Sequence, residues 1–410
     1  MYSLGSRGRR AAAVAALALT LGACSSSPSP RGGAPVPPPS PGQASGAPDG
    51  APQDAGSGAL KTGDAAVVVW CDTVKSDTPS VFLRNPSVTL ASFAMKDGTD
   101  IDDRNVVLPD YAETGTVCKN TMDNPSTVAM RQSFDKDFTM IAGTVQGPGG
   151  KGRSATAFSI PGAKPADRGQ DSGFSSSPDD SQPKFQLGTS TLWYLTTDNQ
   201  VLSADLSKPG GAPVRRATAK KQGYALAGDH AWVLAPLMST MDNVVVNPSG
   251  TVAAVVGDEG AALWGRDDPA DSSGDYVYET ERYFRAARFG DRPAMPGGEQ
   301  VPQCVPQLWF DDTDLLCTSK DSMLRVRFSA DHASVAGVDT LLPATDRTNR
   351  DPVLSPDGKS LAFLSVQGEQ TDLYKLDLTR TGAQPVKVRS VPKSTPTATE
   401  SSRIHLVAWQ

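Results

Sequence analysis

The stretch from Asp351 to Leu378 constrains the chain most: D-P-V-L-S-P-D-G-K-S-L-A-F-L-S-V-Q-G-E-Q-T-D-L-Y-K-L-D-L. At its centre, Ser355-Pro356-Asp357-Gly358 is a turn written in side chains. Proline presets φ near −65° at the second turn position, and glycine suits the last. Pro352-Val353-Leu354 precedes the turn as a short apolar strand. Ser360 to Leu364 follows it, apolar without alternation, and reads as a strand buried on both faces. Asp372 to Leu378 reads as a third strand. Together these make most of one four-stranded antiparallel sheet.

The unit recurs. Asn247 to Val255 aligns with Ser355 to Phe363 without a gap. Phe310 to Cys317 follows the same rhythm, with Trp309 where Leu354 stands. Phe134 to Ala142 and Gln186 to Tyr194 are weaker copies. Repeats of one small sheet every ~45–63 residues predict a β-propeller. The chain ends fit that reading. Ala65 to Trp70 lacks a first strand before it, and Ile404 to Gln410 is a strand with no successor. Joined end to end they rebuild the unit, so the C-terminal strand is expected to complete the N-terminal blade and hide the open edges. The expected fold is all-β: a propeller of six four-stranded blades over residues 64–410. Leu226 to Val233 is a further strand–turn–strand candidate and leaves seven blades open.

The S-P-D-G-K-x-L-A-F block, with its later D-L-Y-K-L-D strand, resembles the repeat of TolB-type, WD40-like β-propellers. The resemblance covers roughly two thirds of the chain. It implies the fold and carries over no functional residue.

The first ten residues include Arg7, Arg9 and Arg10, and an apolar run from Ala11 to Ala23 ends at Cys24. A basic start and an apolar run of about 13 residues read as a secretory signal, too short to span a membrane. Leu21-Gly22-Ala23-Cys24 resembles the lipobox of bacterial lipoproteins, which implies cleavage before Cys24 and a lipid on its sulfur. The rival is an ordinary secreted protein. Residues 24–63 are Pro, Gly, Ser and Ala with almost no large apolar side chain, and read as a disordered tether with a reach of roughly 35 Å. The order is thus signal 1–23, anchored linker 24–63, propeller 64–410. Abundant Ala, Gly, Pro and Arg suggest a GC-rich genome and a single-membrane bacterium, so the expected place is the outer face of the cytoplasmic membrane.

The formal charge is −6, and loss of the signal removes three arginines and no acid. An acidic domain without a basic stripe excludes nucleic acid as a partner. Beyond Cys24 the cysteines are Cys71, Cys118, Cys304 and Cys317. An even set in an exported chain predicts two disulfides, and the sequence-local pairs Cys71–Cys118 and Cys304–Cys317 are favoured over the other connectivities. His230, His332 and His405 have no second ligand at metal spacing, so neither metal nor cofactor is expected. Asp311-Asp312-Thr313-Asp314 looks like part of a calcium loop but sits where the repeat needs a polar turn. No nucleophile elbow, zinc helix or phosphate loop is present. Three segments interrupt the repeat. Asp100 to Val117 reads as a loop with an outer strand, and Pro161 to Pro183 as a disordered loop. The third, from Asp267 to Gln300, alternates aromatics with arginines. There Tyr276, Tyr278, Arg282, Tyr283, Arg285, Arg288 and Phe289 are candidate partner-binding residues, because such side chains dominate interfaces. Their competing reading is an outer strand. The functional expectation is a monomeric, membrane-tethered module that binds a protein or wall component. The alternative is a propeller hydrolase, lactonase or lyase with a metal in its central channel.

Overall fold

The structure is a computed structural model. It describes residues 58–74, 85–109, 112–114, 116–118, 125–146, 152–166, 180–208, 210–218, 223–228, 230–233, 244–257, 260–265, 305–319, 322–332, 334–393 and 403–410. These form seven antiparallel sheets: four of four strands, two of three and one of two. Each packs on its sequence neighbour, and the last packs on the first through the strands Thr348–Leu354 and Arg403–Trp409. The fold is an all-β propeller. The hairpin Tyr224–Ala227 with His230–Val233 is hydrogen-bonded to no other sheet among the described residues. It coincides with the strand–turn–strand candidate Leu226 to Val233, but the propeller counts five blades, where six or seven were expected.

Closure occurs as the sequence implies. Arg403–Trp409 pairs antiparallel with Ala65–Val74, from Ala66 opposite Trp409 to Cys71 opposite Arg403. The register shifts between Val67 and Val68, which leaves Val407 as the extra residue of a bulge. The strand Ala65–Val74 is apolar without alternation because both of its faces are covered. Val67 and Val69 pack toward Val88, Leu90 and Ile141. Ala66, Val68 and Trp70 pack toward Val353, Leu364 and Leu406. Each buried Val or Leu contributes at most about 1.5–3 kcal/mol.

The repeat's turn has one geometry in four sheets. At Asp135, Gln186, Asn247 and Ser355 the residue's N–H donates to the carbonyl five residues on, and its own carbonyl accepts from the N–H three residues on. In three of the four the last turn residue takes a left-handed φ, +68° at Gly250 and Gly358 and +55° at Phe138; in the Gln186 turn the residue before it does, Gly188 at +71°. Glycine adopts that conformation freely, whereas a phenylalanine does not. Phe138 is held there by burial against Phe134, ring centroids 5.5 Å apart.

Two interruptions differ from expectation. Asp100–Val107 is indeed an outer strand, the fourth of the closure sheet, but Ala112–Thr114 belongs to the next sheet. The segment read as a loop to Pro183 ends in the strand Ser181–Phe185, whose Pro183 and Ser/Gly-rich approach conceal it. Residues 167–179 lie outside the described set.

Candidate functional site

The second sheet is built differently from the rest. Ala112–Thr114 pairs with one edge of Met140–Gln146, and Phe134 bridges Ile141 farther along that edge. Between these two pieces the chain leaves the sheet and forms a helix, Thr127–Arg131. Ser126 caps it, its hydroxyl accepting from the Ala129 N–H at 3.2 Å. The helix packs against Val305–Trp309, Thr348–Leu354 and Arg403–Trp409, the first strands of three other sheets. The Thr127 hydroxyl donates to the Gln307 carbonyl at 3.4 Å. Gln132 Nε2 donates to the Leu226 carbonyl at 3.5 Å, and the Phe185 N–H donates to the Gln132 carbonyl at 2.6 Å. Segment 126–132 therefore touches five other sheets around the ring and fills its axis. Sequence reasoning missed it. Five helical residues are too few for a period, and the serine cap was the one available signal.

On the face that carries the repeat turns, a pit of about 340 Å³ opens above this helix. Val128, Leu308, Val353, Leu354 and Trp409 give it an apolar wall, and Leu187 projects beside it with 45% of its surface exposed. Arg131 and Lys136 are its charged lining side chains. Arg131 donates to the carbonyls of Phe134, Asp135 and Lys136 at 2.9–3.2 Å and lies over the Phe138 ring at 4.3 Å. Burial lowers its guanidinium to about 10 while Asp135 and Asp137 oppose the shift, so it stays charged at neutral pH. The Lys136 ammonium pairs with Asp137 at 3.6 Å, both about half exposed. Such surface pairs are weak.

Nearer the other end of the same first strands, Asp351 is buried at a left-handed φ of +55°. Its Oδ2 accepts from the Leu406 N–H at 3.4 Å and lies 3.3 Å from His405 Nδ1. Burial pushes this carboxyl up, but Arg350, His405 and the Leu406 N–H together hold it below the ordinary range. The pair ties the last sheet to the closing strand.

The remaining candidates resolve as structure. His332 Nε2 meets the Asp312 carbonyl at 2.7 Å, and its ring packs beside Trp309 and Phe328. Asp311 Oδ1 accepts from the N–H groups of Thr313 and Asp314 at 2.8 Å, Asp312 accepts from the Ser249 N–H, and Asp314 pairs with Arg325. The run is a turn, with no carboxylates converging on a cation position. Among the described residues no three His, Cys, Asp or Glu side chains gather as a metal set. Cys71 and Cys118 form a disulfide, which fixes the start of the inserted segment to the first strand of the chain. Cys317 is disulfide-bonded as well. Cys24, Cys304 and the set Tyr276, Tyr278, Arg282, Tyr283, Arg285, Arg288 and Phe289 lie outside the described residues.

The chain matches no protein-family model and no curated protein. Solved structures similar to it include TolB-like and WD40 propellers. One is a protein solved as TolB from Agrobacterium tumefaciens, at 12% identity and TM-score 0.28, covering 84% of this chain and 99% of that one. Oligogalacturonate lyase from Vibrio parahaemolyticus has 11% identity and TM-score 0.35, covering 82% and 75%. The Cps50 (Swd1) β-propeller domain from Myceliophteria thermophila has 10% identity and TM-score 0.30, covering 82% and 88%. At these scores the fold rests on the strand pairing described above.

Proposed function

We propose that this protein is a non-enzymatic, lipid-anchored, extracytoplasmic propeller that binds a protein or cell-wall partner through its faces. The observation that supports this reading is the filled axis. A propeller enzyme with a metal in its channel needs open space there and converging ligands; here segment 126–132 occupies that space. The faces are left for contact, and one of them bears an apolar pit. The anchor rests on Leu21-Gly22-Ala23-Cys24 and the tether that follows. Two acyl chains hold a protein at a membrane where one is marginal. No helix among the described residues is long and apolar enough to cross a membrane.

The test is fractionation and cross-linking in the native host. The unaltered chain should stay with membranes in high salt, and Cys24→Ser should not. Cross-linking should recover the same partner from repeated preparations. Retention of Cys24→Ser in washed membranes would move the anchor elsewhere. Lactonase, lyase or hydrolase turnover by the purified chain, lost on chelation, would overturn the non-enzymatic reading.

A further inference from the structure

We propose that the turn-face pit is covered by a segment of the chain's own tether, Ala34 to Pro41, A-P-V-P-P-P-S-P. The proposal goes beyond the binding-module reading and does not depend on it; a partner using this face would have to displace the segment. Three observations carry it. First, the tether meets the folded body at the rim of the pit. Leu60 is buried, and its N–H donates to the Asp137 carbonyl at 3.1 Å, one residue beyond Lys136 of the pit lining. Val36 lies 24 positions before Leu60, a root-mean-square reach of roughly 27 Å. Tethering over such a reach gives a local concentration on the order of millimolar. Second, the pit suits a neutral, apolar occupant. Val128, Leu308 and Leu354 wall it, and Leu187 stands exposed beside it, where covering is favourable. Its two cations are already answered: Asp135 and Asp137 support the charge on Arg131, and Asp137 pairs with Lys136. The pit is broadly open, so it admits a chain lying across it. Gln410 Nε2 uses one hydrogen on the Lys136 carbonyl and has a second for a carbonyl of the segment. Third, Val36 is the one large apolar side chain between Cys24 and Ser57, and residues 32–48 carry no charge. Proline-rich runs are extended before they bind, lose little entropy on docking, and lie along apolar surface beside aromatic rings such as Trp409. A cleft on the rim, lined by Ala91, Ile101, Asp102 and Asp103, is reached as easily, because the Lys61 N–H donates to Asp102 at 3.0 Å. Its carboxylates offer a neutral run less.

Paramagnetic relaxation in full-length Cys24→Ser protein tests this, with a nitroxide on Ser40→Cys and labelled methyl groups. The methyls of Val128, Leu187 and Leu354 report on the pit, and those of Ala91 and Ile101 on the cleft. Relaxation enhancement at the pit should exceed that at the cleft by roughly threefold or more, because a free tether samples both alike. Changing Val36 to Ser and Pro35, Pro37, Pro38 and Pro39 to Gly keeps the length and should make the two equal. Leu187→Asp should do the same without lowering the melting temperature, because this side chain is exposed. The peptide Ac-Ala-Pro-Val-Pro-Pro-Pro-Ser-Pro-NH2 should then shift the pit methyls of the glycine variant, and need several-fold more peptide in the unaltered chain. Equal enhancement at pit and cleft in the unaltered chain overturns the proposal, as does no shift of the glycine variant at about 10 mM peptide. So does enhancement that appears only between two molecules, which would make the occupant a second copy's tether. If the pit stays uncovered while cross-linking still recovers a partner, this proposal fails and the binding-module reading stands.

Discussion

The indole N–H of Trp409 donates to the carboxylate of Asp64 at 2.8 Å, joining residues 345 positions apart in the chain. Around it, the Ala65 and Gln410 backbones exchange both hydrogen bonds, at 2.6 and 2.9 Å. The ring is thus closed by its last residues. Trp409→Phe should keep the fold and lose about 1 kcal/mol, the net worth of one hydrogen bond. Deleting Arg403 to Gln410 bares Ala66, Val68 and Trp70, so the product should aggregate or melt far below the parent. Equal thermal melts would refute the closure.

The turn at Asp135 should tolerate asparagine. Asp135 Oδ1 accepts from the N–H groups of Thr139 and Met140, and Oδ2 from the Thr139 hydroxyl. Asn247 does the same in its own repeat: Oδ1 accepts from Thr251 and Val252, and Nδ2 donates to the Thr251 hydroxyl at 3.1 Å. Asp135→Asn should leave the melting temperature at pH 7 within a few degrees, whereas Asp135→Ala should cost about 1–3 kcal/mol through unsatisfied N–H groups. Equal losses for both would show that the two turns are not equivalent.

These turns also explain how far the sequence could be read. Ser355-Pro356-Asp357-Gly358 and Asn247-Pro248-Ser249-Gly250 carry their conformation in residue type, so the repeat and its closure were legible. Phe138 was not, because a buried ring and not glycine holds its left-handed φ. The helix Thr127–Arg131 left no periodic trace, and its position depends on contacts with strands ~100–280 residues away that no local pattern encodes. The strand Ser181–Phe185 was hidden by Pro183. Chemistry at the site was therefore the least legible part: the pit assembles short pieces of one to four residues from five separate sheets and the inserted helix.

Acid should loosen the closing seam. The folded value of Asp351 lies below its ordinary one, as does that of Asp372, which burial raises but Lys387, Gln370 and Ser390 lower further. A carboxyl with a depressed folded value contributes stability that is present above the unfolded value near 3.9, and loses it as pH falls through the folded one. Asp135, raised by burial, acts in the opposite sense and regains stability as it protonates. Thermal melts should therefore fall below about pH 4, and more steeply for Asp135→Asn than for the unaltered chain. Asp351→Asn should flatten the fall; an unchanged acid limb would remove Asp351 from it.

The Cys71–Cys118 disulfide spans 47 residues, for which chain entropy gives about 4 kcal/mol. Cys71→Ala with Cys118→Ala should lower the free energy of unfolding by that order, read from denaturant melts. It should also speed amide exchange at 126–134 more than at 360–367, because the bond fixes the start of the inserted segment. Equal acceleration at both places would mean that the bond stabilises the ring generally.

Native-state amide hydrogen exchange of segment 126–134 tests most directly whether the axis of the ring is filled. Met130, Gln132 and Phe134 are buried at the centre, and their N–H groups bond within the segment. They should exchange as slowly as the strand Ser360–Gln367, near the rate of global unfolding. Exchange of 126–134 within seconds, while 360–367 stays protected, would mean an open channel, and would remove the observation on which the binding-module reading rests.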